Sequence, residues 1–276
     1  MKKVSLILIT FLFILSGCRT IQISEDDSFD AHRTITPATF NINPFTFEEL
    51  SISTPDGEEL NAWFLSQDNA ETTVVYFGSN SSLMVKSRAL IQAYSALPVN
   101  LVLFDYRGYG LSTGNPTVEG LKTDARTILQ KVKSDFIRGE QKLVVHGHST
   151  GTFLATLSAE EDDAVDAYIL ESPVTEVGSW TRSLLPWITR VFVRFEVDDA
   201  VAGQNNLERV GQITLPLLVI SGTADDVTPP AMANELYEHS ASPRKEFLEI
   251  TGGSHNNLPN YSRYRMAVGD FLESIP

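Results

Sequence analysis

Two serines in this chain sit in the pattern Gly-x-Ser-x-Gly: Ser149 in Gly147-His148-Ser149-Thr150-Gly151 and Ser112 in Gly110-Leu111-Ser112-Thr113-Gly114. The pattern carries chemistry because a strand-to-helix turn tight enough to present a serine leaves room only for glycine on either side. Context separates the two. Ser149 follows the apolar run Leu143 to Val145 and precedes a helix-forming stretch, whereas Ser112 runs into the loop signal Asn115-Pro116. Ser149 is the candidate nucleophile and Ser112 reads as a loop residue.

A serine hydroxyl attacks a carbonyl only once a base takes its proton, and the base needs a carboxylate to hold its tautomer. Two histidines follow Ser149. His239 lies in a helical stretch and reads as an exposed helix residue. His255, in the glycine-rich Thr251-Gly252-Gly253-Ser254-His255-Asn256, sits on a loop that can aim it back at the serine. The carboxylate belongs after the strand Leu217 to Ile220, where Asp225 and Asp226 are adjacent. Asp225 is the preferred partner and Asp226 the turn or capping residue. An oxyanion would need two backbone donors, the N–H of Thr150 and one from the loop Gly78-Ser79-Asn80-Ser81. His146 and His148 would share a face of a strand, but His148 fills the variable position of the serine turn and no acidic cluster accompanies the pair. No metal and no organic cofactor are expected.

The elements that must position these groups follow from periodicity. Phe45 to Ser53 and Leu60 to Leu65, joined by the turn Pro55-Asp56-Gly57, read as an antiparallel hairpin. Val74 to Phe77, Leu101 to Phe104, Leu143 to Val145, Ala167 to Leu170, Leu217 to Ile220 and Phe247 to Ile250 are short apolar runs, most of them of the kind buried on both faces of a sheet. Helical stretches lie near Leu83 to Leu97, Val118 to Ser134, Thr150 to Glu160, Pro230 to His239 and Tyr261 to Ser274. The alternation of strands and helices implies right-handed crossovers and a mostly parallel sheet in a single α/β domain over residues 45–276. Residues 173–211 break it with a long segment rich in Trp180, Leu184, Leu185, Trp187 and Phe195, and a connection of that length reads as a functional insertion.

The N-terminus stands apart. Met1-Lys2-Lys3 followed by the apolar run Val4 to Leu15 has the form of a signal peptide, too short to span a bilayer. Leu15-Ser16-Gly17-Cys18 resembles the lipobox of bacterial lipoproteins, in which the cysteine is lipidated and becomes residue one. The resemblance implies a signal peptide over 1–17, lipidation of Cys18 and anchorage in the bacterial cell envelope; Arg19, in place of an aspartate, favours the outer membrane over the inner. Residues 18–44, with Glu25, Asp26, Asp27, Pro37 and Pro44, read as a tether reaching roughly 25 to 30 Å. Cys18 is the only cysteine, so no disulfide is expected. The formal charge is −14 and grows more negative when Lys2 and Lys3 are removed, which argues against nucleic acid as a partner.

From about Phe45 onward the chain resembles bacterial α/β-hydrolases related to bem46 and to the mammalian ABHD serine hydrolases. The likeness is carried by Phe104-Asp105-Tyr106-Arg107-Gly108-Tyr109-Gly110, the turn at Ser149, Gly222-Thr223-Ala224-Asp225, and Gly253-Ser254-His255-Asn256. It implies an α/β-hydrolase fold, with a mostly parallel eight-stranded sheet, helices on both faces and a helical cap over 173–211. It also implies structural roles for Asp105 and Arg107. The family's His-Gly-Asn loop aligns with Gly78-Ser79-Asn80, so Asn80 takes the backbone donor's place despite the lost His-Gly pair. The expected activity is hydrolysis of a small-molecule or lipid ester, or a thioester, through an acyl-enzyme on Ser149, by a monomer. A peptidase of the same fold and an inactive anchored binding protein are the alternatives.

Overall fold

The apolar runs become strands because each is short, β-branched or aromatic, and bounded by turn residues. In the computed structural model, which describes residues 19–33, 42–160, 165–186 and 193–276, the strands are β1 Arg19–Ile23, β2 Thr46–Ser53, β3 Glu59–Ser66, β4 Thr72–Phe77, β5 Val99–Phe104, β6 Lys142–His148, β7 Ala167–Glu171, β8 Val193–Val197, β9 Leu217–Gly222 and β10 Lys245–Ile250. Eight of them form one sheet in the order β10-β9-β7-β6-β4-β5-β3-β2. The pairings from β5 to β10 are parallel, and the hairpin β2–β3 adds an antiparallel edge. Strands β4, β5, β7 and β9 are buried at every position, which is why their sequences show no alternation.

Helices cover both faces. On one face α1 (Arg88–Tyr94) packs Leu90, Ile91 and Tyr94 against Val74, Leu101 and Val144. On the other α2 (Val118–Asp135) turns Leu121, Ala125, Ile128, Leu129 and Val132 to the sheet, the spacing of one helical stripe. Its N-terminus is capped by Thr117, whose hydroxyl accepts the Gly120 N–H at 3.0 Å. After β6 the chain turns directly into α3 (Gly151–Ala155) and α4 (Leu157–Glu160), with Ser149 at the turn. The insertion holds α5 (Val177–Ser183), α6 (Asp199–Ala202) and α7 (Asn206–Val210). Next come α8 (Pro230–His239), between β9 and β10, and α9 (Ser262–Ser274), the last element.

Beside its three helices the insertion also carries the strand β8. One expectation is corrected, since the tether is not free along its length: β1 pairs in parallel with β8, from Arg19 opposite Val193 to Ile23 opposite Val197. Both segments alternate apolar and polar residues, Thr20-Ile21-Gln22-Ile23 and Val193-Arg194-Phe195-Glu196-Val197, so the pairing gathers their apolar side chains on one face. Residues 1–17 and Cys18, as well as Trp187, lie outside the described residues. Among the described residues no helix is long and apolar enough to cross a membrane.

Candidate active site

β6 delivers Ser149 through a turn that only this arrangement of glycines permits. A Cβ on Gly151 would collide with the carbonyl oxygens of Phe77 and Gly78, and one on Gly147 would lie 2.7 Å from Thr152 Cα. Ser149 itself has φ +55°, a left-handed backbone that a serine adopts only when the surroundings impose it. Its N–H is held by Glu171 O at 2.9 Å.

The last loop brings His255 to it. His255 Nε2 stands 2.9 Å from Ser149 Oγ, and His255 Nδ1 stands 2.9 Å from Asp225 Oδ2. Asp225, after β9, is buried, while the neighbouring Asp226 is exposed. That difference settles which of the two faces the imidazole. Burial pushes the Asp225 carboxyl up, but the His255 hydrogen bond and the Thr228 N–H, at 2.9 Å from Oδ1, more than offset it and hold the group at about 2. His239 lies exposed on α8. Ser112 is buried elsewhere: its hydroxyl donates to Asp105 O at 2.6 Å and accepts the Asn61 N–H at 2.9 Å, so it ties a loop to β3.

Asn80 and Thr150 both line a cavity of about 290 Å³ beside the serine turn, together with Gly78 and Gly151. The loop that carries Asn80 is held by the tyrosines of the Asp-Tyr-Arg-Gly-Tyr segment. Tyr106 donates to Gly78 O at 2.9 Å and Tyr109 to Asn80 O at 2.7 Å. A third tie comes from the N-terminal segment, where Asp30 N–H donates to Asn80 Oδ1 at 3.3 Å. These bonds supply the fastening that the absent His-Gly pair leaves open. The cap reaches the same place, with Trp180 Nε1 donating to Val227 O at 2.9 Å beside Asp225.

Two contributors were not anticipated. Thr228 Oγ1 lies 2.9 Å from Asp225 Oδ2 and 3.1 Å from His255 Nδ1, bracing the acid–imidazole pair. An Asp followed three residues later by a threonine just before Pro229 is the readable trace of such a turn. His148 Nε2 stands 2.9 Å from His255 O, and the two rings lie 5.0 Å apart. Burial lowers the His148 pKa, favouring the neutral ring that donates to that carbonyl. Its strand neighbour His146 faces Tyr94 OH at 2.9 Å and Glu171 Oε2 at 3.1 Å. The two imidazoles thus serve different partners, and among the described residues no cluster of three or more metal-ligating side chains occurs.

A family model described as serine aminopeptidase, S33, matches residues 78–207 and 198–260. The chain is 30% identical to protein bem46 of Schizosaccharomyces pombe over 242 residues, 86% of this chain and 79% of that protein. It is 29% identical to an uncharacterized membrane protein of Saccharomyces cerevisiae, over 82% of this chain and 79% of the other. Among solved structures, an esterase of Pyrococcus furiosus superposes with a TM-score of 0.71 at 21% identity, covering 89% of this chain and 99% of that one. At that identity the likeness is one of fold.

Proposed function

Because the chain belongs to the serine aminopeptidase S33 family of hydrolases, with the α/β-hydrolase fold and kinship to bem46, we propose that it cleaves carboxylic esters or thioesters through an acyl-enzyme on Ser149. The observation that carries this reading is the unbroken line from Ser149 Oγ through His255 to Asp225, with 2.9 Å at each step. His255 Nε2 takes the hydroxyl proton as Oγ attacks the carbonyl carbon. Asp225 accepts the Nδ1 proton's hydrogen bond and stabilises the imidazolium that forms. The N–H groups of Asn80 and Thr150 receive the oxyanion. Collapse of the tetrahedral intermediate sends the proton from His255 to the leaving alcohol or thiol, and water, activated by the same imidazole, releases the acid and restores Ser149. No metal or organic cofactor enters these steps.

The family description names an aminopeptidase, and a substrate of that kind brings an ammonium group close to the reacting carbonyl. A buried ammonium needs a counter-charge. Among the described residues the only acidic one lining the cavity is Asp27, which is exposed, so the site favours a neutral ester. Lipidation of Cys18 and monomeric anchorage in the bacterial envelope, more consistent with the outer than the inner membrane, complete the proposal; a relative named as a membrane protein supports attachment to a bilayer.

The direct test is labelling of the full chain with a fluorophosphonate probe, beside Ser149→Ala and His255→Ala. Labelling of the wild type and its loss in both variants is the expected result. A folded wild type that does not label would instead favour an inactive binding protein.

A further inference from the structure

The proposed hydrolysis gives no task to residues 19–33, yet these reach the active site from the far end of the chain. Ile23 closes the β1–β8 ribbon, its carbonyl accepting the Asp198 N–H at 3.0 Å, and Glu25 N–H donates to Asp198 Oδ2 at 2.7 Å. The segment then crosses from the insertion to the body of the domain. Glu25 Oε1 accepts the N–H of Val118, the first residue of α2, at 2.6 Å. Asp30 N–H binds Asn80 Oδ1, and His32 O accepts the Gly110 N–H at 2.8 Å. Along this path Ile23, Ser28 and Phe29 become lining residues of the cavity, with Phe153 and Trp180 from the serine-turn helix and the cap. Phe29 also packs against two groups of buried apolar side chains, one that includes Leu121 of α2 and one that includes Phe153 and Val177, so its ring is seated rather than loose.

We infer that this N-terminal strap is the acyl-specificity element of the site, closing the cavity over a single aliphatic acyl chain of medium length. The inference rests on the hydrolase reading above. Continuity is the first argument: Asn80 and Thr150 line the same cavity, so an ester oxygen held by their N–H groups leaves its acyl chain inside it. Polarity is the second. The walls named above are mostly apolar, and among the described lining residues the one carboxylate, Asp27, is exposed and bonded to Ser24 Oγ at 2.6 Å, so these residues hold no buried charge for a polar acid portion. Size is the third, since about 290 Å³ falls at the small end of ligand cavities, which run to about 1,000 Å³, and suits one chain rather than two.

The experiment compares acetyl, butyryl, octanoyl and palmitoyl p-nitrophenyl esters on the full wild-type chain, Phe29→Trp and Ile23→Trp, with fluorophosphonate labelling of the same preparations. Each methylene taken from water gains up to about fourfold, the equivalent of about 0.8 kcal/mol. The wild type should therefore favour octanoyl over acetyl in kcat/KM by at least roughly tenfold. Either tryptophan, by filling the cavity, should lower that ratio by roughly tenfold while the serine still labels. A wild type that labels but prefers acetyl overturns the strap's role and leaves the hydrolase intact. So do labelling-competent variants that keep the wild-type ratio, or loss of labelling in both variants. A wild type that neither labels nor cleaves any ester defeats the hydrolase reading, and this inference with it.

Discussion

Asp225 is where geometry and titration meet. Its carboxylate accepts from His255 Nδ1, from the Thr228 and Val227 N–H groups and from the Thr228 hydroxyl, and it is held at about 2, below its ordinary 3.8. A carboxyl with a folded pKa below its unfolded one stabilises the fold above the unfolded value and loses that contribution as pH falls through the folded one. Asp225→Asn should therefore do two things. It should reduce kcat by about 10³ to 10⁴-fold, because the amide presents the wrong partner to Nδ1–H. It should also narrow the gap in urea midpoint between wild type and variant as pH drops from about 4 to about 2; a gap that stays constant across that window would contradict the pairing. Ser149 and His255 could be read from spacing because a strand, a glycine-flanked turn and a glycine-rich loop each leave a local mark. Asp225 and Asp226 share one loop, and only burial, which depends on contacts made across the fold, tells them apart. The contacts of Thr228 and His148 with His255 were hidden for the same reason, each joining segments that are distant in sequence.

Arg107 shows how elements are locked to one another. Its guanidinium, buried after β5, reaches Asp124 on α2 at 2.6 Å and Asp56 in the β2–β3 turn at 2.7 Å, while its N–H donates to Asp124 Oδ2 at 3.1 Å. Removing one partner of a buried pair strands the other charge, which costs about 3 to 5 kcal/mol. Asp124→Ala is expected to lower unfolding stability by that amount in urea titrations, with Asp124→Asn intermediate. A loss below about 1 kcal/mol would mean that the exposed Asp56 alone can satisfy the guanidinium. The strands of the main sheet were legible because complete burial leaves uninterrupted apolar runs, and α2 because its stripe from Leu121 to Val132 is sustained for about three turns. The helix expected over Leu83 to Leu97 is shorter, Arg88–Tyr94, since Met84–Lys86 forms a separate 3₁₀ turn that sets Met84 N–H on Asp105 Oδ1 at 2.9 Å. β1 and β8 each carry alternation, but a two-stranded parallel pairing between segments so far apart has no local signal, and so the strap read as a tether.

For the whole molecule, the strap changes what an anchor at Cys18 would accomplish. β1 starts at the next residue, so a lipid on Cys18 would lie within about 17 Å of Ile23 along the extended strand, at about 3.3 Å per residue. A loose tether would let the cavity wander; this one would hold it beside the bilayer. The surface nearby suits that position, with Ile21 43% and Leu184 51% exposed, and Leu184 also lines the cavity. Charge does not help, because a chain of net charge −14 is repelled by anionic headgroups. On the proposed reading attachment comes from acyl chains on Cys18, and anchorage of that kind would raise the local concentration of membrane-borne substrate without altering the active site. Cys18→Ser should accordingly move the protein out of the membrane fraction and cut hydrolysis of a vesicle-embedded octanoyl ester by tenfold or more, on the order expected for lost tethering. Its rate on the same ester in free solution should match the wild type, since the proposed chemistry runs through Ser149, His255 and Asp225. If the variant stayed with the membrane and kept its rate on vesicles, attachment would have to reside elsewhere in the chain, and the exposed apolar surface around Ile21 and Leu184 would be the next place to substitute.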